Sequence, residues 1–326
     1  MNSKKIEIQQ IALEIFGGCN YKCPMCPQAS GRESSFLKKL PFDVYKKIID
    51  EGLQYGLKAV SLQGSGEPTL RPDMPKFVEY AKKKGLKCIS LTNGFHLSTE
   101  LSRRLIDAGI DTLRISAIGY SPETYAKWMS KDAFHQVRRQ ALEFINLNQI
   151  MGGASELTLY HLIIDPNNVE SEIELYRRNW IDYCNCPGEI WLMHNWGGQY
   201  KDMSDFRTRS VRRSCGRPSS PYLTVRAGGL DGKRAAVVPC CFVLGQDSKA
   251  VLGHLDSQSI AEVLNGARYK ALRDDHSNGN FDAIDYCRDC DQLYDVPESL
   301  VWTNVPGKKY GQSKYLQDLD YRQWNI

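Results

Sequence analysis

"IALEIFGGCNYKCPMCP", residues 11–27, runs from an apolar, β-rich segment into a glycine-bearing loop with three cysteines, Cys19, Cys23 and Cys26. The spacing is C-x3-C-x2-C. A tetrahedral zinc site with three cysteines needs a fourth ligand, and the nearest histidine in sequence is His96. A cubane iron–sulfur cluster takes one thiolate per iron, so three cysteines leave one iron open to a ligand from outside the protein. On spacing alone the loop reads as such a cluster, as a structural zinc knuckle or as three buried thiols.

Outward from this loop, short β-rich runs alternate with amphipathic helical stretches. Strands are expected at 11–16, 58–63, 87–92, 112–117, 156–164 and 189–194. Helices are expected at 41–55, 73–84, 98–108, 121–150 in two pieces, and 168–178. The first of these helices opens at Pro41 and stops at Gly56. Six βα units in series predict an α/β fold with a parallel sheet and right-handed crossovers, closed as a barrel or open. The segments after the strands read "GGCN", "GSGEP", "NGF", "IGYS", "DPNN" and "NWGG". In a parallel array they meet at the carboxyl edge, where ligands bind. Strand-to-helix loops are commonly polar and glycine-rich, which accounts for the glycines but not for three cysteines.

The chain has 326 residues, 42% hydrophobic and 25% charged, with a formal net charge of +4. That charge is too small and too evenly spread to argue for nucleic acid. No apolar run reaches membrane-span length, and the N-terminus lacks a secretory signal pattern, so a cytoplasmic setting is expected. Eleven cysteines in an odd, clustered arrangement do not form a disulfide framework and suit metal binding.

The cysteine loop after the first strand, "GSGEP" (64–68) after the second, "TNG" (92–94) after the third and "RIS" (114–116) on the fourth resemble, in that order, the radical S-adenosylmethionine (SAM) superfamily. The resemblance covers about residues 10–200. It implies a partial (β/α)6 TIM-like barrel with a [4Fe–4S] cluster on Cys19, Cys23 and Cys26. SAM would chelate the open iron through its amino and carboxylate groups. Reductive cleavage would then yield methionine and a 5′-deoxyadenosyl radical that takes a hydrogen atom from substrate, with a flavodoxin- or ferredoxin-type donor supplying the electron. Cofactor contacts are expected from Gly64, Ser65, Gly66, Glu67, Asn93 and Ser116. Glu67 would meet the ammonium group, and the glycines would let backbone approach the methionine moiety. Two departures are Met25, where the family often has an aromatic residue, and Ala117–Ile118, where many members carry an acid. The second puts the ribose contact on Ser116 and Asn93.

From about residue 200 the rhythm is lost. Two β-rich runs surround "GGLDG", a helix follows at 258–272, and Cys287 and Cys290 form a CxxC pair. Residues 205–305 read as a second module and 306–326 as a tail, with the barrel domain at 1–204. Cys215, Cys240, Cys287 and Cys290 would supply four thiolates and close a cluster. A four-cysteine zinc site has the same spacing. This region resembles the auxiliary-cluster modules of SPASM and twitch radical SAM enzymes, implying one auxiliary [4Fe–4S] cluster, with Cys240 or Cys241 as the second ligand. His194 and Asn195 follow the sixth strand and are candidates to line the active site, or a histidine satisfied by backbone. Arg207, Arg209, Arg212 and Arg213 read as a solvated basic linker or a substrate grip. Cys184 and Cys186 read as ordinary thiols, and Cys241, if not a ligand, as a hydrogen-atom donor.

The expected function is oxidation of a carbinol on a sugar, cyclitol or similar small molecule, with the auxiliary cluster as electron acceptor. The alternatives are a peptide- or protein-modifying maturase, disfavoured because Cys19 leaves little room for a leader-binding domain ahead of it, and a non-catalytic zinc protein.

Overall fold

The computed structural model describes residues 7–30, 38–200, 211–243, 249–294 and 300–306. Six parallel strands lie side by side in sequence order: β1 (Gln10–Leu13), β2 (Ala59–Leu62), β3 (Lys87–Thr92), β4 (Thr112–Ser116), β5 (Glu156–Ile163) and β6 (Gly188–Leu192). Helices α1 (Phe42–Gln54), α2 (Met74–Lys83), α3 (Thr99–Asp107), α4 (Pro122–Met129), α5 (Phe134–Ile150) and α6 (Val169–Tyr176) connect them. This is the partial-barrel order expected from the alternating pattern.

Helix α1 shows why the pattern was readable. Tyr45, Ile48, Ile49 and Gly52 recur at helical spacing and are the residues it buries. Gly52 is there for contact, since a Cβ would lie 2.9 Å from Leu57 Cδ2 and 3.2 Å from Ile11 Cδ1. The helical stretch 121–150 divides at Ser130, which is left-handed at φ 51°. Ser121 and Thr124 cap α4 reciprocally.

Three more strands carry the sheet on into the cysteine-bearing second module. β7 (Tyr222–Arg226) pairs parallel with β1, and β8 (Ala236–Val238) and β9 (Gly253–His254) follow antiparallel. β10 (Leu300–Thr303) pairs antiparallel with β6 at the opposite edge. One ten-stranded sheet results. The reason is that an uncovered β1 would leave a row of backbone donors and acceptors unpaired, and "YLTVR" satisfies them. The single helix expected at 258–272 is two, α7 (Ile260–Asn265) and α8 (Ala267–Asn278), because Gly266 is extended between them. Apart from Pro306, the tail at 306–326 lies outside the described residues.

Strand alternation decides which side chains face the barrel interior. Ile11 packs on Gly52 of α1, and His161 hydrogen-bonds Glu172 of α6 at 2.9 Å. Their neighbours therefore point inward. By register the inward set includes Glu14, Gln63, Arg114, Ser116, Tyr160, Glu189, Trp191, Tyr222, Thr224 and Arg226. No helix among the described residues is long and apolar enough to cross a membrane.

Candidate active site

The three-cysteine loop leaves β1 and is held from several sides. Gly17 N donates to Lys38 O, Leu40 N to Ile15 O, and Cys26 N to Cys23 O, closing a turn between two of the cysteines. Buried Arg71 donates to Ile15 O at 2.9 Å and Leu40 O at 2.6 Å, with Asp73 completing its fork. Tyr21 covers one flank. Its hydroxyl lies 3.1 Å from that of Tyr125, its ring meets Phe95 edge-on, and Lys131 caps both rings.

The three thiols interact with one another. Burial pushes the Cys19 thiol up to about 12, and Glu67 and Cys26 add repulsion. Burial likewise raises Cys23, with Cys26 and Cys19 adding to it. None of the three is in a disulfide among the described residues. Cys19 and Cys23 are both held toward the neutral thiol, so a metal that binds them must displace protons.

The motifs at 64–68 and 92–94 do something the sequence did not reveal. Gly66 seats the cysteine loop: a Cβ there would lie 2.2 Å from Phe16 O and 2.7 Å from Gly18 O. Glu67 N donates to Gly18 O at 2.8 Å. Gly64 makes room for Glu14, whose Cγ lies 2.4 Å from where a Cβ would stand. Both glycines are thus required by closeness between segments of the protein. Ser65 donates to Glu14 through both N and Oγ. Glu67, 3% exposed, accepts from Thr69 N, Thr69 Oγ1 and Thr92 Oγ1 on Oε1, and from Asn93 N on Oε2. Asn93 donates to Asn20 Oδ1 at 2.8 Å, beside Cys19. Glu67 therefore ties the second motif to the third, and Asn93 ties the third to the cluster loop. Ser116 ends β4 on the interior face and is half-buried.

The second cysteine set comes together from segments far apart in sequence. Burial raises Cys287, and Cys240, Cys290 and Cys215 repel it further. Cys240 is pushed up to about 12 by burial and then by Cys241, Cys215 and Cys290, against the Arg217 guanidinium. Cys241, besides acting on Cys240, also acts on the hydroxyls of Tyr160 and Tyr222 in the barrel.

The remaining candidates sort as follows. His194 Nδ1 accepts from Trp196 N, and its ring packs on Trp196 and Phe242. Asn195 braces the CxxC segment through Asp289 O, Asp291 N and the Asp291 carboxylate. Arg212 forms a two-pronged pair with Asp282 at 2.7 Å, and Arg213 N donates to Leu293 O, so this part of the basic run braces the CxxC region. Arg207 and Arg209 lie outside the described residues. Cys184 and Cys186 are hydrogen-bonded to each other, which lowers the first and raises the second.

Sequence reasoning missed the charges inside the barrel. Arg114 meets Glu189 at 2.5 Å and lies over the Tyr160 ring, while Trp191 Nε1 donates to the same carboxylate. Glu14 pairs with Arg226 at 3.5 Å. Inward register positions were the available signal, but that signal needs the strand pairing.

The donor sets fit iron–sulfur clusters. Among the described residues no three His, Cys, Asp or Glu side chains crowd to the spacing around one ion. A cubane takes one thiolate per iron, so donor sets made only of cysteines suit it by their chemistry.

Comparisons with known proteins agree. A family model for the radical SAM superfamily matches residues 13–175, and one for an iron–sulfur cluster-binding domain, SPASM, matches 230–291. A probable GTP 3′,8-cyclase of Methanococcus maripaludis is 36% identical over 121 residues, 37% of this chain and 40% of that protein. An AdoMet-dependent heme synthase of Methanosarcina barkeri is 36% identical over 115 residues, 35% of this chain and 32% of its own. The chain thus spans about two fifths or less of the length of these curated relatives. Among solved structures, BtrN in complex with AdoMet and 2-DOIA superposes with a TM-score of 0.58 at 18% identity, covering 91% of this chain and 98% of that one. Streptococcus suis SuiB bound to precursor peptide SuiA gives 0.63 at 13%, covering 82% and 67%. These structural likenesses show the fold. With the motif order, the thiol groups and both family models in agreement, the chain belongs to the radical SAM superfamily, carries a SPASM iron–sulfur module, and takes SAM and [4Fe–4S] clusters as cofactors.

Proposed function

We propose that this enzyme oxidises a carbinol on a sugar, cyclitol or similar hydroxylated small molecule. Cys19, Cys23 and Cys26 would hold the SAM-binding cluster. Cys215, Cys240, Cys287 and Cys290 would hold one auxiliary cluster. When bound, SAM and its cluster supply a 5′-deoxyadenosyl radical for hydrogen-atom abstraction.

The observation that carries the reading is the split between Cys240 and Cys241. One peptide step separates the four-thiol group from a side chain among Tyr160 and Tyr222 inside the barrel. An auxiliary cluster held by Cys215, Cys240, Cys287 and Cys290 would supply an acceptor for the second electron of carbinol oxidation. The interior also suits a hydroxylated substrate. Arg114 is paired with Glu189 and Arg226 with Glu14, while Tyr160, Tyr222 and Gln63 offer neutral hydroxyl and amide groups. Asn93, Glu67 and Arg71 keep the cluster loop in place. Tyr21 and Tyr125 shield its flank from water.

The test is anaerobic reconstitution followed by turnover with SAM, dithionite and sugars or cyclitols deuterated at the carbinol carbon. About eight irons and eight sulfides per chain are expected, for two four-iron clusters, with deuterium in 5′-deoxyadenosine and a ketone product. Deuterium transfer from peptide substrates, with none from the sugars, would sink the carbinol reading.

A further inference from the structure

We propose that the buried pair Glu14–Arg226 is a positioning device that orients the auxiliary-cluster loop against the cofactor end of the barrel. The proposal rests on the reading of Cys215, Cys240, Cys287 and Cys290 as cluster ligands. Arg226 is 2% exposed and Glu14 4%. Arg226 Nη2 donates to Cys241 O at 2.9 Å and to Val243 O at 2.8 Å, while Nη1 faces Glu14 Oε2 at 3.5 Å. Glu14 Oε2 accepts from Ser65 N at 2.6 Å and Ser65 Oγ at 2.5 Å, and Oε1 accepts from Ala227 N at 3.1 Å. Two side chains therefore join β1, the "GSGEP" loop, the end of β7 and the turn that follows Cys240.

Gripping the carbonyls on both sides of Phe242 fixes the orientation of that turn. Held in that turn, Cys240 interacts with Cys241, Cys215, Cys287 and Cys290, and Cys241 also with Tyr160 and Tyr222. The planar guanidinium reaches two carbonyls and a carboxylate from a rigid fork that fixes their relative directions, whereas an ammonium is a compact point charge on a flexible stem. Burying both charges carries a desolvation cost that an apolar pair of similar volume avoids, and Arg226 Nε adds to it as a buried donor with no partner. What the charged pair contributes in return is direction. The pair also gives Gly64 its reason, because any Cβ there would displace Glu14.

The experiment compares reconstituted wild type with Arg226→Lys and with the charge-neutral double variant Glu14→Gln/Arg226→Met. It reads iron content, the EPR spectra of both reduced clusters and the auxiliary midpoint potential. Both variants should alter the auxiliary spectrum. Poised at the wild-type midpoint, their auxiliary oxidised-to-reduced ratio should move about tenfold, or about 59 mV for one electron. The SAM-binding cluster should still change its spectrum when SAM is added. If the double variant does not fold, Arg226→Lys decides alone. An auxiliary spectrum and potential identical to wild type in the folded variants would overturn the proposal. About four irons in wild type, where two four-iron clusters need eight, would instead remove the auxiliary-cluster reading itself, before any variant is made.

Discussion

Cys240 and Cys241 are adjacent in the chain and differ in their further neighbours: beyond each other, Cys240 interacts with Cys215 and Cys290, and Cys241 with Tyr160 and Tyr222 in the barrel. The first prediction follows from that divergence. Cys240→Ala should drop iron content from about eight to about four per chain, one cluster's worth, and Cys241→Ala should keep all of it. Iron analysis after anaerobic reconstitution checks both, and the reverse pattern would exchange the two assignments.

Cys19→Ala, Cys23→Ala and Cys26→Ala should each abolish dithionite-dependent formation of 5′-deoxyadenosine, because each removes a thiolate from a three-thiol set with no spare. The auxiliary cluster's EPR signal should persist in all three. Full SAM cleavage in any one of them would contradict the ligand assignment.

Gly66→Ala should be harmful in spite of its size. The added methyl would stand 2.2 Å from Phe16 O, and that atom is backbone with little freedom to move. Overpacking of this kind costs about 1–3 kcal/mol, read as a lower thermal midpoint. Because the clash falls on the loop that leads into Cys19, iron binding should weaken in the same variant.

Arg114→Ala should destabilise the barrel by taking the guanidinium away from Glu189, a carboxylate buried at 2% exposure that keeps the Trp191 Nε1 donor. Breaking a buried pair costs roughly 3–5 kcal/mol. The Arg114 side chain is 25% exposed, so the low end of that range, about 3 kcal/mol, is expected. Adding Glu189→Gln should recover much of the loss in a denaturant titration. Additive losses from the two changes would mean that the residues do not act as a pair.

His254 provides a pH dependence. Burial holds its imidazole below the ordinary value, and its neutral Nε2 accepts from Leu230 N at 3.0 Å. The unfolded chain takes up a proton near pH 6.5 before the folded chain does. The stability from this group is therefore complete above that pH and declines as pH falls through it. His254→Gln should flatten the loss of thermal stability between neutral pH and pH 5.5, and an unchanged slope would refute the assignment.

Much of the barrel was legible because its signals are local. A helix face such as Tyr45, Ile48, Ile49 and Gly52 repeats within one element, and all six parallel strands appeared within a residue or three of their expected ends. Strand β7 was legible as a strand but not as a partner of β1, since nothing local in "YLTVR" names the edge it covers. The division of helix 258–272 turned on one extended glycine whose conformation depends on packing. The glycines of "GSGEP" were legible as required, but their reason was not, because the atoms that exclude a side chain there belong to Glu14, Phe16 and Gly18.

The order of motifs along the chain is what the sequence by itself determined: a C-x3-C-x2-C loop after the first strand, three further loops after the next strands, and four later cysteines. Spacing within a loop and periodicity within an element are properties of a few neighbouring residues. Tertiary structure alone decided that Cys215, Cys240, Cys287 and Cys290 share one neighbourhood, that Cys241 also reaches Tyr160 and Tyr222, and that Glu14 and Arg226 meet across β1 and β7. Strand pairing and burial bring together groups separated by up to some two hundred residues, and the charges that meet there are ordered by the low-dielectric interior they share.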